Sequence, residues 1–595
     1  MNRAAVVFRP TEEFIYPNSR TELTIRIRVA KDAVRGIYLE YWKRGDKSEK
    51  KIQRESMRRY YSDGVSDQFE CHIKIKPIAA YIRYRFKIDF SDHSSTWLGA
   101  SKFCEEEEKT TGNFFEFLWP NPSDFQYVHF EKQRFIFYQI FPDRFWKSGE
   151  KQEVGNHIFE PWGSLPTRQN YMGGNLAGIR QKLPYLEKLG VNCLYLNPVF
   201  EGTSNHRYDT VNYYRIDPDF GEEKDLRDLI GQAHLTGMKV LLDGVFNHCG
   251  YAWGPFQDVL EKGRASKYRD WFFVQEYPLE SGAPKYDCVG FYRWMPKINL
   301  ANRQAQDYFI AVGKYWIEKF QIDGWRLDVA DEIPTQFLER FAFEVKGVSP
   351  DSFLLGETWG DADRLLHGNR LDSAMNYLFR DALVDWLGSK AISTEEFNSR
   401  LNHMMMLYPF EKMSQMYNLI DSHDTDRFLF ACGGDLRKLK IAVALQMTFV
   451  GCPAVYYGDE VGMTADTDPL CRACMNWEED QQNQDLLRWY RELIHFRSSH
   501  EVLLNGRFQS AFVVGRMLGF YRFNREESYL VILNGGDDRG KIPFDTDGWE
   551  KILFMPADGE NAQKGMETSD VSAYSLEIWR AIYGKLFENG SSVEE

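Results

Sequence analysis

The feature that most constrains the fold is an alternation of short apolar runs with amphipathic segments between residues 135 and 462. Apolar side chains recur every three to four positions, as in a helix with one buried face, at residues 178–190, 225–237, 304–320 and 333–347. Apolar runs typical of buried strands lie at residues 135–145, 191–200, 238–248, 322–330, 352–360, 416–424 and 453–462. Because helices that connect strands produce a parallel sheet, this repetition predicts an α/β fold, a (β/α)8 TIM barrel.

Period-two alternation on either side of this region predicts two further domains made of strands. It occurs at residues 21–30, 36–44, 68–75 and 81–90, and again at 512–523, 528–536 and 572–579. We therefore expect an N-terminal β-sandwich (residues 1–122), a catalytic barrel (123–504) and a C-terminal antiparallel β-domain (505–595). Residues 249–298 contain no clear strand–helix unit, which predicts an insertion after the third barrel strand.

Composition excludes several classes of function. The net charge is −14 without a cluster of Lys and Arg, which argues against a nucleic-acid partner. The sequence contains no run of 18 apolar residues, so we expect no membrane span. The N-terminus lacks the apolar region of a secretory signal, so we expect no such signal. An odd count of nine scattered cysteines is typical of reduced thiols and indicates a cytoplasmic location. Aromatic residues make up 15% of the chain, and their flat faces suit sugars.

Acidic residues stand at the ends of four predicted barrel strands: Asp243, Asp328, Glu357 and Asp424. One such acid alone would be interpreted as a turn residue or a helix N-cap. Four of them at the carboxyl ends of parallel strands, accompanied by His248, Arg326 and His423, predict an active site at the rim of the barrel.

Two of these acids form a pair suited to glycoside hydrolysis. Asp328 and Glu357 are separated by about one helix–strand unit, so they should project from adjacent strands into one pocket. One carboxylate then attacks the anomeric carbon and the other protonates the leaving oxygen, and their separation, which sequence leaves open, decides between retention and inversion. Arg326, on the same strand face as Asp328, would keep that carboxylate ionised. Trp359 has two interpretations of equal weight, apolar cover for Glu357 or barrel packing.

The motifs around these residues resemble those of one enzyme family. LLDGVFNH (residues 241–248), GWRLDVADE (324–332), LLGETW (354–359) and IDSHDTDRF (420–428) are similar, in order, to the four signature regions of the α-amylase family of glycoside hydrolases. MPKIN (295–299), YDTVNYY (208–214), PAVYYGDEVGM (453–463) and DPLCRACMNW (468–477) are similar to its neopullulanase, cyclomaltodextrinase and maltogenic amylase subgroup.

This resemblance implies a role for each matching residue. Asp328 would be the nucleophile, Glu357 the general acid/base and Asp424 the stabiliser of the transition state. The residues implied to line the sugar subsites are Tyr208, His206, Asp243, His248, Arg326, Trp359, His423, Asp468 and Arg472. The resemblance also implies a retaining hydrolase of cyclodextrins, pullulan and short α-1,4-linked malto-oligosaccharides, with some α-1,6 cleavage and transfer. It implies a homodimer formed through the N-terminal domain.

The chain departs from the family pattern in three respects. Asp331 replaces the Asn of a usual VANE sequence, and Gly360 replaces the His of a usual EIWH. Some relatives bind calcium through a loop corresponding to residues 146–150 and a Gly-Gly-Asp, whereas this chain has Lys147 and Gly173-Gly174-Asn175. A lysine and a neutral amide are poor calcium ligands, so we expect a weak or absent calcium site and no other metal or cofactor.

Two alternatives remain open at this stage. One is an α-glucanotransferase, in which a sugar hydroxyl instead of water attacks the same intermediate. The other is a non-catalytic glycan-binding protein on an amylase-like barrel, which retention of Asp328, Glu357 and Asp424 disfavours.

Overall fold

The computed structural model describes residues 3–45, 52–104, 112–125, 130–149, 153–154, 157–277, 279, 285–368, 370–558 and 569–582. The chain divides into two compact units. The β unit comprises Met1–Phe130, Ala391–Ser414 and Asn505–Glu595, and the barrel unit comprises Glu131–Lys390 and Gln415–Leu504. None of the described helices is both long enough and apolar enough to cross a bilayer.

The barrel unit contains eight parallel strands arranged in a ring. In chain order they are Phe137–Ile140, Cys193–Leu196, Lys239–Gly244, Gly324–Leu327, Phe353–Gly356, Ser373–Ala374, Tyr417–Leu419 and Cys452–Tyr456. Each strand pairs with the next, and the first pairs with the eighth. A parallel bridge between Met375 and Tyr417 joins the sixth strand to the seventh, so the ring is closed. The predicted TIM barrel is confirmed.

Helices follow the strands, as the periodicity predicts. The α-helices that lie in the barrel unit, the first and last of which each extend one residue beyond it, are Phe130–Gln133, Pro142–Phe145, Leu176–Gln181, Leu183–Leu189, Glu223–Leu235, Gly254–Lys262, Arg303–Phe320, Thr335–Val348, Asp363–Leu366, Tyr377–Leu383, Phe428–Ala431, Leu436–Thr448, Gln484–Ser499 and Glu501–Asn505. The sixth strand was not predicted, because two small residues, Ser373 and Ala374, give no periodic signal.

The helix Arg303–Phe320 shows how the sequence positions the fourth strand. The Asn302 side chain caps it by accepting hydrogen bonds from the backbone amides of Gln304 and Ala305. A Cβ on Gly313 would lie 2.4 Å from the Phe341 ring, so only glycine permits this close packing on the next helix. The Trp325 indole, on the fourth strand, donates to the Gly313 carbonyl at 3.3 Å. The strand that carries Arg326 is therefore held from outside the barrel.

Between the third strand and Arg303, the described residues form one α-helix, Gly254–Lys262, two short 3-10 helices and several isolated bridges. One antiparallel bridge joins His248 to Lys297. This bridge holds His248 next to the rim of the barrel.

The β unit contains the N-terminal sandwich. Its strands are Val6–Val7, Ile15–Ser19, Glu22–Ala30, Val34–Lys43, Gln53–Ser62, Ser66–Lys74, Ile82–Phe90, Ser95–Leu98, Phe103–Cys104 and Phe115–Phe117. The first half of Gln53–Ser62 pairs with Val34–Lys43 and its second half with Ser66–Lys74, so this strand connects the two layers. It was not predicted, because its first four side chains are polar and exposed and give no apolar alternation.

The C-terminal sheet of the β unit contains five antiparallel strands: Arg507–Val514, Met517–Phe523, Ser528–Asn534, Trp549–Pro556 and Ser575–Ala581. A small pair, Gly540–Lys541 and Asp570–Val571, lies beside it. The interpretation of residues 512–523 as one strand is wrong, because Gly515, with a φ of +58°, turns the chain between two strands of a hairpin. The remaining α-helices of this unit are Thr394–Leu407 and Phe410–Met413.

A buried group of charges joins the N-terminal and C-terminal parts of the β unit. Glu70, whose side chain is fully buried, lies 2.8 Å from the Arg26 Nε and 2.8 Å from the Arg507 Nη1. The two guanidinium groups hold the pKa of Glu70 well below its usual value despite burial. The Arg26 guanidinium also donates to the Tyr408 carbonyl at 2.7 Å.

We expect Glu70→Ala to destabilise the protein by about 3–5 kcal/mol, because it leaves two buried guanidinium groups without their carboxylate. Chemical denaturation would measure this change. Glu22→Ala is the matched control, because Glu22 forms an exposed pair with Lys74 at 2.6 Å and its loss should have little effect. Equal stability of the two variants would contradict the assignment of Glu70.

Candidate active site

All of the predicted site residues lie in the barrel unit, at or beyond the carboxyl ends of its strands. Asp243 faces Arg326 in the register of the third and fourth strands. Asp328 and Glu357 directly follow the fourth and fifth strands in the same way, since Leu327 pairs with Gly356. The structure therefore brings the two predicted catalytic carboxylates together on adjacent strands.

The buried guanidinium of Arg326 connects three carboxylates. Its Nη1 donates to Asp243 Oδ1 at 2.9 Å and to Asp328 Oδ1 at 2.7 Å. Its Nη2 lies 2.9 Å from Glu357 Oε2. Arg326 thus serves the whole cluster, and not Asp328 alone as the sequence suggested.

The ratio of one guanidinium to three carboxylates favours retention of a proton by one of these carboxyl groups. Burial raises the pKa of Asp328 well above its usual value, the Arg326 charge opposes this rise, and the neighbouring carboxylates add to it. Burial also raises the pKa of Asp243. Because a single positive charge neutralises only one of three nearby carboxylates, full ionisation of all three is unfavourable.

The two oxygens of Glu357 have different surroundings. Oε2 accepts a hydrogen bond from the Val329 backbone amide at 2.7 Å and also faces Arg326. Among the described residues, Oε1 accepts only the longer 3.2 Å bond from the Trp359 indole. A proton on Glu357 is therefore better accommodated on Oε1.

Val329 adopts a left-handed conformation with φ +46° and ψ +47°, which is unusual for a β-branched residue. This backbone conformation occurs where the Val329 amide points at the Glu357 carboxylate. Strain of this kind concentrates at functional sites.

The Trp359 ring is half exposed and stacks on Tyr377, with the ring centroids 4.1 Å apart. Trp359 therefore packs on the barrel core with one face and also places its indole N–H beside Glu357.

Tyr208, His423 and Asp243 form a chain of hydrogen bonds. The Tyr208 hydroxyl donates to Asp243 Oδ2 at 2.9 Å and lies 2.7 Å from His423 Nε2. The Gln139 amide donates to His423 Nδ1 at 2.8 Å, so the proton of this imidazole resides on Nε2. Burial, with the nearby positive charge of Arg472, lowers the pKa of His423 well below its usual value. His423 is thus a neutral hydrogen-bond donor.

The other two histidines of the site are also neutral. Burial lowers the pKa of His206 to about 4 and that of His248 to about 3. His248 Nε2 lies 3.1 Å from the Tyr208 carbonyl and 3.8 Å from Asp328 Oδ2. The Tyr208 backbone amide donates to His206 Nδ1, so the His206 proton is on Nε2, whereas the His248 Nε2–H donates to the Tyr208 carbonyl.

Asp424 is held by two neighbours while part of its carboxylate stays accessible. Arg472 Nη2 lies 3.0 Å from Asp424 Oδ1, and His423 Nε2 lies 3.2 Å from Asp424 Oδ2. The Arg472 guanidinium also pairs with Asp468 at 3.1 Å. The Asp424 side chain is 28% exposed, the most accessible of the three predicted catalytic carboxylates.

Two of the departures from the family pattern lie beside Glu357. Asp331 is hydrogen-bonded to Thr358 and to the backbone amide of Trp359, and burial raises its pKa. Open space surrounds the position where a side chain on Gly360 would project. Asp331 therefore adds an acid next to the segment that carries Glu357, and Gly360 leaves room beside it.

The residues described near the expected calcium site do not fit this ion. Asn175 Oδ1 accepts from the backbone amides of Gly178 and Ser148, and its Nδ2 donates to the carbonyl of Ser148 at 3.2 Å. Lys147 lines the adjacent cavity of about 180 Å³. Calcium requires six to eight oxygen ligands, whereas here an ammonium and a donating amide are presented. Residue 150 of the predicted loop lies outside the described residues.

Several residues of the site were not predicted. Gln139 is hydrogen-bonded to His423 and Asn197 to Tyr208, each at 2.8 Å. The Tyr195 hydroxyl donates to Asp243 at 2.7 Å. Gln139 and Asn197 are polar residues within or at the end of apolar strands, which is a signal that sequence reasoning could have used.

Arg207, between His206 and Tyr208, was also missed. It is fully buried with a φ of +60°. Its Nε and Nη2 each lie 3.0 Å from Asp217, and its Nη2 also pairs with Asp219. Its Nη1 donates to the Ser204 carbonyl at 2.8 Å. This clamp fixes the backbone from which Tyr208 projects.

Comparison with known proteins agrees with this geometry. The model described as the catalytic domain of alpha amylase matches residues 139–493, and the N-terminal Ig-like domain of alpha amylase matches residues 1–121. The chain belongs to the α-amylase family. A cyclomaltodextrinase of Geobacillus thermopakistaniensis (strain MAS1) is 37% identical over 596 residues, covering 97% of this chain and 100% of that protein.

Two further members of the α-amylase family extend the comparison. Neopullulanase 2 of Thermoactinomyces vulgaris is 36% identical over 545 residues, covering 90% of this chain and 92% of that protein. The structure of a cyclomaltodextrinase matches with a TM-score of 0.90 at 34% identity, covering 98% of this chain and 100% of that chain. The predicted subgroup resemblance is confirmed, and the chain is a glycoside hydrolase.

We expect Arg207→Lys to lower the kcat/KM of this α-amylase family member by about tenfold or more, because a single ammonium cannot reproduce the forked contacts to Asp217, Asp219 and Ser204. Steady-state kinetics on a malto-oligosaccharide would measure the change. The control is Arg215→Lys, because Arg215 is exposed and lies 3.7 Å from Glu201. A normal kcat/KM for Arg207→Lys would exclude this positioning role.

Proposed function

We propose that the protein is a retaining α-glucan hydrolase that acts by double displacement, with Asp328 as nucleophile, Glu357 as general acid/base and Asp424 as stabiliser of the transition state. The observation that carries this proposal is that Asp328 and Glu357 contact neighbouring nitrogens of one guanidinium, at 2.7 Å and 2.9 Å. This closeness favours the short carboxyl separation of retaining enzymes, about 5–5.5 Å, over the 6.5–9.5 Å of inverting ones.

The nucleophilic oxygen of Asp328 is Oδ2. Arg326 binds Oδ1, whereas Oδ2 is buried and has no hydrogen-bond partner within the described part of the chain. An oxygen without a donor keeps its electron density for attack on the anomeric carbon.

Glu357 completes both displacements. Its Oε1 proton passes to the glycosidic oxygen as the bond to the anomeric carbon breaks and the Asp328 ester forms. The resulting carboxylate then accepts a proton from water as the water oxygen attacks the anomeric carbon. The ester bond to Asp328 breaks, and the sugar is released in its original α-configuration.

The remaining residues stabilise the sugar between these steps. Tyr208 provides a ring on which the reacting glucose stacks, His206 donates to its hydroxyls, and His248 and His423 line the pocket as further neutral groups. Asp424 is an anion close to the positive charge that develops on the anomeric centre.

Cyclodextrins, pullulan and short malto-oligosaccharides are the proposed substrates, which the names cyclomaltodextrinase and neopullulanase among the relatives support. Transfer to a sugar acceptor is the second candidate activity. The half-exposed Trp359 ring beside Glu357 favours it, because an acceptor sugar can stack there. The nine free cysteines support a cytoplasmic location.

The test compares wild type with Glu357→Gln on β-cyclodextrin, pullulan and soluble starch, with EDTA present. We expect fast ring opening, slow starch cleavage, no effect of EDTA, and a loss of about 10²–10⁴-fold in kcat for Glu357→Gln, which cannot donate the required proton. Glu344→Gln is the control, because Glu344 forms a partly exposed pair with Lys314 at 3.1 Å. Proton NMR of the first products identifies their anomeric form.

A β-anomer as first product would exclude the retaining mechanism. Starch preferred over cyclodextrin would contradict the proposed substrate class, and transfer products in excess of hydrolysis products would favour the glucanotransferase.

We further propose a homodimer formed through the N-terminal sandwich, where Tyr81, Leu118 and Trp119 expose apolar side chains. Light scattering should give twice the chain mass of 69.8 kDa across micromolar concentrations. A mass of one chain at the highest concentration would contradict it.

A further inference from the structure

A second cluster of acids lies behind the loop that carries His423 and Asp424. Asp421 follows the seventh barrel strand, and Asp459 begins a 3-10 turn, Asp459–Val461, after the eighth strand. Both carboxylates are almost fully buried, with 2% and 3% of their surface exposed. Neither residue has a part in the chemistry described above.

Each carboxylate uses one oxygen and leaves the other without a partner. The Phe428 backbone amide donates to Asp421 Oδ2 at 2.6 Å, and Arg427 Nη1 donates to Asp459 Oδ1 at 2.7 Å. Asp421 Oδ1 and Asp459 Oδ2 are inaccessible to solvent and lack a hydrogen-bond partner within the described part of the chain. The two side chains lie within hydrogen-bonding reach of one another.

We propose that Asp421 and Asp459 share one proton, and that this acid pair, with Arg427, is the positioning element that holds His423, Asp424 and Arg472 in place. A hydrogen bond between one carboxyl and one carboxylate satisfies both unpartnered oxygens at once. The remaining negative charge is balanced by the single guanidinium of Arg427.

The surrounding charges favour a shared proton. Glu460, on the same turn as Asp459, is a further buried acid whose oxygens accept from the hydroxyls of Tyr138 and Tyr185 and from the amide of Gly458. Arg427 is the buried cation of the group. Burial raises the pKa of Asp459 well above its usual value, with the Asp421 charge as the next cause.

Tyrosines lie near the pair and its arginine. Tyr490, from the helix Gln484–Ser499, interacts with both aspartates, and its own pKa is raised well above the usual value by burial and then by Asp459. The Arg427 guanidinium lies 4.5 Å from the Tyr456 ring centroid and 5.2 Å from that of Tyr457. None of these phenols supplies a positive charge that could hold two ionised carboxylates.

The pair is connected to the site through Arg427 and the segment that contains Arg472. Arg427 Nε donates to the Cys471 carbonyl at 3.2 Å. Next along the chain, Arg472 donates to the His423 carbonyl at 2.8 Å and pairs with Asp424. A movement of Asp459 away from Arg427 would therefore loosen the support of Asp424.

The inference rests on the proposed function only where it concerns activity, because the shared proton itself is tested by unfolding. The pKa of Asp459 is higher in the folded protein than in the unfolded chain. Its protonated form therefore stabilises the folded state, and this contribution is lost as pH rises above about 4. Asp459→Asn removes this titration and can still donate to Asp421. We therefore expect the Tm of Asp459→Asn to rise relative to wild type between pH 5 and pH 8.

Asp323→Asn is the matched control with the opposite sign. Asp323 is a largely buried aspartate whose pKa is lowered by hydrogen bonds from His234 and Lys239 even though burial opposes this. Its contribution to stability is complete above the unfolded pKa of about 4, so the Tm deficit of its Asn variant should stay constant between pH 5 and pH 8 and shrink only at lower pH.

Activity provides the second measurement. We expect Asp459→Asn and Asp421→Asn each to retain kcat on β-cyclodextrin within about threefold, whereas the double variant, which leaves Arg427 without a carboxylate, should lose more than tenfold. A relative Tm of Asp459→Asn that is flat or falls with pH would overturn the shared proton. A single Asn variant as impaired as the double variant would overturn it as well.

Discussion

The site depends first on Arg326, whose buried guanidinium is placed among three carboxylates by strand pairing on both sides. Its planar fork reaches Asp328 with one nitrogen and Glu357 with the other. Two carboxylates that contact one guanidinium cannot drift apart, so their separation is fixed by covalent geometry rather than by flexible loops. One positive charge against several negative ones also leaves a reason for a proton to remain, which is what a nucleophile and a general acid require in the same pocket.

The other groups of the site are arranged to donate hydrogen bonds without adding charge. Burial keeps His206, His248 and His423 neutral, so each has one N–H that donates a hydrogen bond without positive charge. Protonated imidazoles in these positions would repel the positive charge that develops on the sugar. The same burial that makes the carboxylates hold protons thus makes the imidazoles release them, and both effects suit an oxocarbenium-like transition state.

Much of the barrel could be predicted from the sequence, because its strands are apolar runs and its helices have apolar residues every three to four positions. Seven of the eight barrel strands were found from their apolar runs, and the acids Asp243, Asp328, Glu357 and Asp424 were found near the ends of four of them. Elements without such a run were missed. Ser373–Ala374 is too short to show a period, and Gln53–Ser62 carries exposed polar side chains because it passes between the two layers of the sandwich. The Gly515 turn was missed because apolar residues continue on both sides of it.

Prediction of the site stopped at contacts that sequence spacing does not encode. Asp243, Asp328 and Glu357 were found individually, but that one guanidinium binds all three depends on the register of three strands. The Val329 amide contributes through its backbone conformation, for which its side chain gives no signal. Support from Gln139 and Asn197 requires the first and second strands to be neighbours in the closed ring.

A common arrangement recurs around the rim of the barrel, in which a buried arginine faces more carboxylates than it can neutralise. Arg207 binds Asp217 and Asp219, and burial raises the pKa of Asp219. Arg326 and Arg427 repeat this arrangement with other acids. Each arginine orients its carboxylates, and the acid that it cannot neutralise has a raised pKa. The buried charges that hold the loops of the rim in place therefore also set the protonation of the acids that those loops carry.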